Sequence, residues 1–289
     1  MHYRYRQMLY PGGLYKAVTF SYDDGNAADV RLSDIFTKYG MKATFNLNSR
    51  TLRSACGVSD DEIRAYSLER GHEIAIHGYL HRAAGQLRPI EIVNEYLDSR
   101  RDLEERFGGI IRGMAYPDSG VNRFNGNCDY NDVKSILASL DIAYARTTGA
   151  MGMNMELPTD WHAWSPTAHH RDPRLFEYID KLFEFDPEKV YISALSPKLL
   201  YIWGHSYEFN TSDNWDLIER ICEKLASKKD ELWFATNIEI YNYTEAYRSL
   251  IYSADGYTVY NPTLYDIWFQ IDRKPYCIRS GETLNIERQ

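Results

Sequence analysis

The sequence predicts an α/β fold, a distorted (β/α)7 barrel with a small C-terminal β annex, and three observations predict it. Seven short apolar runs, near residues 17–22, 43–48, 73–77, 111–116, 142–147, 199–204 and 231–236, have the length and composition of strands. Segments with a helical apolar period lie between several of them, and strands alternating with helices build a parallel sheet with right-handed crossovers. After about residue 240 the texture changes to β-like runs at 257–260, 264–271 and 276–278, separated by Asn261-Pro262, Asp272-Arg273 and Ser280-Gly281. Seven strands are too few for the usual eight-fold barrel, so an incomplete ring is expected.

The helical segments can be justified one by one. Residues 27–39 place Val30, Leu32, Ile35 and Phe36 on one face and stop at Gly40, a residue suited to a left-handed C-cap. Residues 89–107 carry Ile92, Val93, Tyr96, Leu97 and Leu103 and end at Gly108-Gly109. Residues 131–140 and 214–227 follow the same logic, the latter through Trp215, Leu217, Ile218, Ile221 and Leu225. The expected division is a main domain over residues 1–240 and a β-rich extension over 241–289 packed on it.

Bulk properties narrow the function. At 289 residues and 44% hydrophobic content the chain can bury a large core. Its formal charge of −8 is spread along the sequence, with no basic block for nucleic acid or an anionic membrane. No stretch approaches the roughly 18 apolar residues of a membrane span. The first ten residues lack an apolar signal core, so a cytoplasmic location is expected. Cys56, Cys128, Cys222 and Cys277 are scattered without a CxxC pair, and read as free thiols of a reducing compartment.

Two short stretches carry the chemistry. Ser21-Tyr22-Asp23-Asp24-Gly25 ends a strand-like run with two adjacent carboxylates, and His77-Gly78-Tyr79-Leu80-His81 follows another with two imidazoles four residues apart. On a helical turn such imidazoles share a face and reach one ion. One carboxylate with two histidines is a facial ligand set that leaves positions open for water and substrate, and the second carboxylate is left to act as a base. Both stretches begin where a strand ends, as active sites of barrel folds do.

These motifs resemble those of the polysaccharide deacetylases, the NodB-homology or carbohydrate esterase 4 family. The first is similar to that family's T-F-D-D-G and the second to its H-[ST]-x-x-H, and the likeness spans about residues 14–240. The resemblance implies a distorted barrel and a metal held by Asp24, His77 and His81. It further implies Asp23 as general base, and hydrolysis of the acetamide of an N-acetylated sugar or oligosaccharide. Zn²⁺ is the first expectation, and Co²⁺, Mn²⁺, Ni²⁺ and Fe²⁺ suit the same donors. Leu199 to His205 resembles the family's L-x-H ending, which makes His205 the general acid. A carboxylate beside its ring would keep it protonated. Asp160 is the fourth-motif candidate for that partner, with Glu208 as its rival.

The third motif departs from the family. Where R-x-P-[YF]-G is usual, this chain has Ala115-Tyr116-Pro117-Asp118-Ser119-Gly120, so the arginine that steadies the catalytic aspartate is missing. Arg146, at the end of the next strand, is expected to reach into the same space. The N–H after Pro117 is a candidate oxyanion donor. Tyr116, Pro117 and Asp118 are expected to touch substrate, and Trp161 and Trp203, with Trp164, to form a sugar-stacking wall. His169-His170 with Asp172 reads as a polar loop in preference to a second metal site, and His72 and His162 have no evident task. Two other functions stay open: hydrolysis of a non-sugar amide such as a cyclic ureide or formamide, and sugar binding without catalysis. Nothing in the sequence fixes the oligomeric state.

Overall fold

The computed structural model describes residues 5–50 and 57–287; Cys56 lies outside them. Strands β1 (Arg6–Met8), β2 (Lys16–Asp24), β3 (Thr44–Leu47), β4 (Glu73–Ile76), β5 (Gly113–Ala115), β6 (Tyr144–Arg146), β7 (Ala168–His169), β8 (Lys198–Gly204) and β9 (Leu232–Phe234) precede the annex. The helices are α1 (Ala28–Tyr39), α2 (Asp60–Tyr66), α3 (Pro89–Phe107), α4 (Tyr130–Ser139), α5 (Leu175–Glu184), α6 (Tyr207–Thr211), α7 (Trp215–Ala226) and α8 (Asn237–Arg248). All pairings of the main sheet are parallel, in the order β6-β5-β4-β3-β2-β8-β7, with β9 added beside the start of β2.

These seven strands curl into a ring. Trp164 bridges β6 through Arg146, and three residues later the same segment joins β8, where Thr167 N–H donates to Tyr201 O. The expected distorted (β/α)7 barrel is therefore the fold. β7, only two residues long, is a ring strand that the sequence patterns did not reveal, and the expected strand at 231–236 is β9, outside the ring order.

Local chemistry explains the boundaries. Gly40 ends α1 at φ 69°, where its N–H reaches back to Phe36 O and Thr37 O. Pro89 opens α3 at a position that needs no N–H donor, and Glu91 accepts from the Arg88 N–H. Central β2 is buried along nearly its whole length, as expected of a parallel strand covered on both faces.

Beyond α8, β10 (Ile251–Tyr252), β11 (Thr258–Tyr260), β12 (Ile267–Ile271), β13 (Lys274–Ile278) and β14 (Thr283–Asn285) form two antiparallel sheets, β1-β12-β13 and β10-β11-β14. Met8, Phe269 and Tyr243 share an apolar cluster with Ala17, Tyr144 and Leu199, which start β2, β6 and β8. These strands thus cap the amino-terminal end of the barrel, opposite the strand ends that carry both motifs. Among the described residues, no helix is long and apolar enough to cross a membrane.

Candidate metal centre and acid–base site

Asp24, His77 and His81 converge at the carboxyl ends of β2 and β4. Asp24 Oδ1 lies 3.6 Å from His77 Nε2 and 3.4 Å from His81 Nε2. Donors about 2.1 Å from one ion at tetrahedral angles lie roughly 3.4 Å apart, so this spacing fits ligands of one cation. His77 Nδ1 sits 3.0 Å from Ala115 O, which fixes the tautomer with a proton on Nδ1 and a bare Nε2 turned to Asp24. Burial also pushes the His77 imidazole below its usual value, favouring the neutral form that coordinates. The residues present therefore fit a divalent transition ion.

The His77–His81 segment is not a helical turn, contrary to the i, i+4 expectation. It is a loop in which Gly78 (φ 80°) and His81 (φ 59°) are left-handed. Glu95 of α3 holds it: its fully buried carboxylate accepts from Leu80 N at 2.7 Å, Arg82 N at 3.2 Å and Arg82 Nε at 2.8 Å. A Cβ at residue 78 would come within 2.7 Å of Glu95 Oε1, so glycine is required twice over. Asp24 is itself left-handed at φ 80°, a strained conformation of the kind that clusters at functional sites.

Asp23, the residue before Asp24 on β2, brings Oδ2 to 3.9 Å from the same His77 Nε2 and is only 2% exposed. Arg146, wholly buried, donates from Nη2 to Asp23 Oδ2, and Asn46 Nδ2 donates to Oδ1 at 2.8 Å. Arg146 thus takes the place expected of it, and its guanidinium lies 4.4 Å from the Trp203 ring centre. Burial raises the Asp23 carboxyl, but Arg146, His77 and His205 outweigh it and hold the group below its ordinary value.

His205 faces the cluster across the barrel mouth, with Nε2 4.0 Å from Asp24 Oδ2. Its Nδ1 is 3.5 Å from Glu208 Oε1. Burial lowers the imidazole, yet Glu208, Asp23 and Asp24 together raise it above the usual value. Asp160 is not the partner. Its carboxylate accepts from Tyr130 OH at 2.8 Å and Lys134 Nζ at 2.7 Å and caps the turn at His162, which ties it to α4. The rival, Glu208, occupies the place expected of Asp160.

The expected substrate contacts divide. Trp203, half-buried, sits beside Arg146 and 5.8 Å from His205, and exposed Asp118 lies 3.8 Å from His81 Nδ1. Tyr116 is buried and donates its hydroxyl to His162 O at 2.8 Å, which takes it out of the cleft. Trp161 donates to Glu245 of α8 and packs on Tyr241, near the capped end of the barrel, while Trp164 is core. Pro117 is buried, close to Gly78 beneath the metal loop, and so supports the loop without lining the cleft. His72 Nδ1 accepts from Ala43 N, and His162 Nε2 bonds Ile142 O, so both are structural.

Comparison with known proteins agrees with the motif reading. Residues 13–127 match the family model described as polysaccharide deacetylase, a class of hydrolases acting on non-peptide carbon–nitrogen bonds. No curated protein sequence matches the chain. Among solved structures, a protein from Pseudomonas aeruginosa PAO1 described as a probable polysaccharide deacetylase aligns at TM-score 0.59 and 18% identity, covering 81% of this chain and 92% of its own. The Xyl-CE4 domain of a multidomain xylanase from the hindgut metagenome of Trinervitermes trinervoides gives 0.52 and 17%, covering 80% and 92%. A third structure, from Mycobacterium smegmatis, gives 0.57 and 15%, covering 86% and 95%. These likenesses establish the shared barrel.

Proposed function

We propose that this chain, a polysaccharide-deacetylase-type hydrolase by its matched segment and fold, is a metal-dependent enzyme that removes acetyl groups from an N-acetylated sugar or oligosaccharide. The observation that carries the reading is the convergence of Asp24, His77 and His81 on one point, with Asp23 Oδ2 3.9 Å from His77 Nε2 and His205 Nε2 4.0 Å from Asp24 Oδ2. A bound divalent ion, Zn²⁺ or a similar cation, would polarise the acetamide carbonyl and acidify a water. The residues supply the rest. Asp23, ionised and aligned by Arg146 and Asn46, takes the proton from the attacking water. His205, kept protonated by Glu208, gives one to the departing amine, which leaves poorly without it. An acid and a base beside one ligand cluster are what hydrolysis of an amide requires.

The cleft favours a sugar chain. The side chains of Asp24, His81 and His205 remain 32%, 33% and 23% exposed, so the site is open to solvent, which suits a sugar chain better than an enclosed small amide. Trp203 and the half-buried Tyr207, 5.2 Å from the His205 ring, offer apolar faces to a pyranose ring. The non-sugar amide reading drew its support from the missing third-motif arginine, and Arg146 on Asp23 removes that motive. A binding-only role fits poorly with an intact ligand set, base and acid. The free thiols of Cys128, Cys222 and Cys277 suit the cytoplasm. The test is acetate release from N-acetylglucosamine oligomers by the Zn²⁺-loaded protein, with and without chelator. Chelator-sensitive release is expected; turnover of cyclic ureides with no acetate from any acetylated sugar would overturn the proposal.

A further inference from the structure

We propose that His169, His170 and Glu208 form a second divalent-cation site, separate from the Asp24–His77–His81 cluster. His169 ends β7 and His170 follows it, anchored by its N–H to Trp203 O at 2.8 Å. Their rings lie side by side, centres 4.4 Å apart. Glu208, in the first turn of α6, brings Oε2 to 3.2 Å from His169 Nε2 and 3.1 Å from His170 Nε2. All three ligand atoms lie within 4.8 Å of one another. Two imidazoles and one carboxylate are again the donor set of Zn²⁺, Co²⁺ or Ni²⁺, and not of Mg²⁺ or Ca²⁺, which take oxygen ligands.

A second, independent observation points to a ligand. His170 is 1% exposed, and among the described residues neither its ring nitrogens nor Glu208 Oε2 makes a well-formed hydrogen bond; Nε2 has only the Glu208 carboxylate beside it, at 3.1 Å. Buried polar atoms are almost always satisfied, so His170 Nε2 and Glu208 Oε2, which face each other across 3.1 Å beside His169 Nε2, suit a shared cation. The His170 ring cannot turn to find another. It is stacked between Tyr22 and Phe209, 5.7 and 4.4 Å away, and its Nδ1 edge abuts Gly204, where a Cβ would come within 1.9 Å. Asp172, the carboxylate next in sequence, accepts from Arg174 N at 2.8 Å, so Glu208 from a distant helix completes the set. Arg171 Nη1 stands 3.8 Å from Glu208 Oε1, and its exposed side chain is free to withdraw.

The site does not depend on the deacetylase reading, and its test reads stoichiometry, not turnover. Metal-free full-length protein is titrated with Co²⁺, followed by visible absorption and by elemental analysis after dialysis. The wild type should hold two ions per chain. Asp24→Asn should keep one; His169→Gln and Glu208→Gln should each lose the other while retaining the ion at Asp24, which also shows that they fold. A wild type holding one ion that Asp24→Asn abolishes would overturn the proposal. So would a second ion that persists in both His169→Gln and Glu208→Gln.

Discussion

Arg146, from the far end of the parallel order, meets Asp23 on central β2, and both side chains are buried. The pair makes a clear demand. Removing the arginine leaves an uncompensated carboxylate in a dry site, and breaking a buried pair in this way typically costs roughly 3–5 kcal/mol. Arg146→Ala should therefore lower Tm by many degrees and raise the Asp23 carboxyl, so that a smaller fraction is ionised for proton abstraction. Turnover should fall about 10²-fold or more, the usual worth of a placed base. Arg146→Lys, which keeps charge but loses the planar fork, should fall between. Acetate release by Arg146→Ala at the wild-type rate would remove the arginine from the site's workings.

Glu95 supports the loop that carries His77 and His81 without being one of the candidate ligands. Its three accepted bonds replace the ladder that a helix would have supplied to residues 80–82. Glu95→Gln should leave the barrel folded but weaken the ion's hold, by about 10- to 100-fold if it behaves as outer-shell partners of metal ligands usually do. Competition with a chromophoric chelator measures this directly. Unchanged affinity would mean that the loop holds its shape through Gly78 and Pro117 alone.

The contrast between these residues shows what the sequence could reveal. Asp23, Asp24, His77 and His81 were legible because each pair lies within five residues and closes a strand. Glu95 and Asn46 were not, because a polar residue on a helix or strand becomes informative only once the fold shows what it faces. Asp160 was assigned by motif position, but its carboxylate is taken by Tyr130 and Lys134, to which no sequence pattern links it. Glu208, three residues past His205, had the better local signal, since i, i+3 positions on a turn are neighbours. Among the helices, α5 is not among the expected segments, although Leu175, Tyr178, Ile179 and Leu182 carry a clear helical stripe. In α8 the buried Asn237 and Thr244 blur the period. Two-residue β7 is too short for any alternation to register.

His205 and Glu208 give a kinetic prediction with a definite sign. His205 must be protonated to act as an acid, and Glu208 is the largest influence raising its imidazole against burial. Glu208→Gln should therefore move the basic limb of the kcat–pH profile to lower pH. His205→Ala should cut kcat by about 10²–10⁴ while leaving the ion at Asp24 in place. Loss of that ion in His205→Ala would make this imidazole a ligand and not an acid.

Glu73 makes a separate prediction about stability at the opposite end of the barrel. Its buried carboxyl accepts from Thr44 Oγ1, Ile238 N and Tyr144 OH, at 2.8, 2.9 and 2.8 Å, yet burial outweighs these bonds and raises it to about 7. A carboxyl raised above its unfolded value near 4.5 stabilises the fold in its protonated form. That contribution is complete below about pH 4.5, fades as pH rises through 7, and is worth roughly 3 kcal/mol for a shift of this size. Glu73→Gln keeps the shape and replaces the titrating group with a permanently neutral one. His72 and His170, both lowered to about 4 by burial, slope the opposite way, and Asp29, raised to about 7, slopes the same way. The Tm difference between variant and wild type cancels all three and isolates Glu73. It should grow in the variant's favour from pH 4.5 to pH 7.5; a difference that stays flat across this window would mean that Glu73 is ionised throughout it.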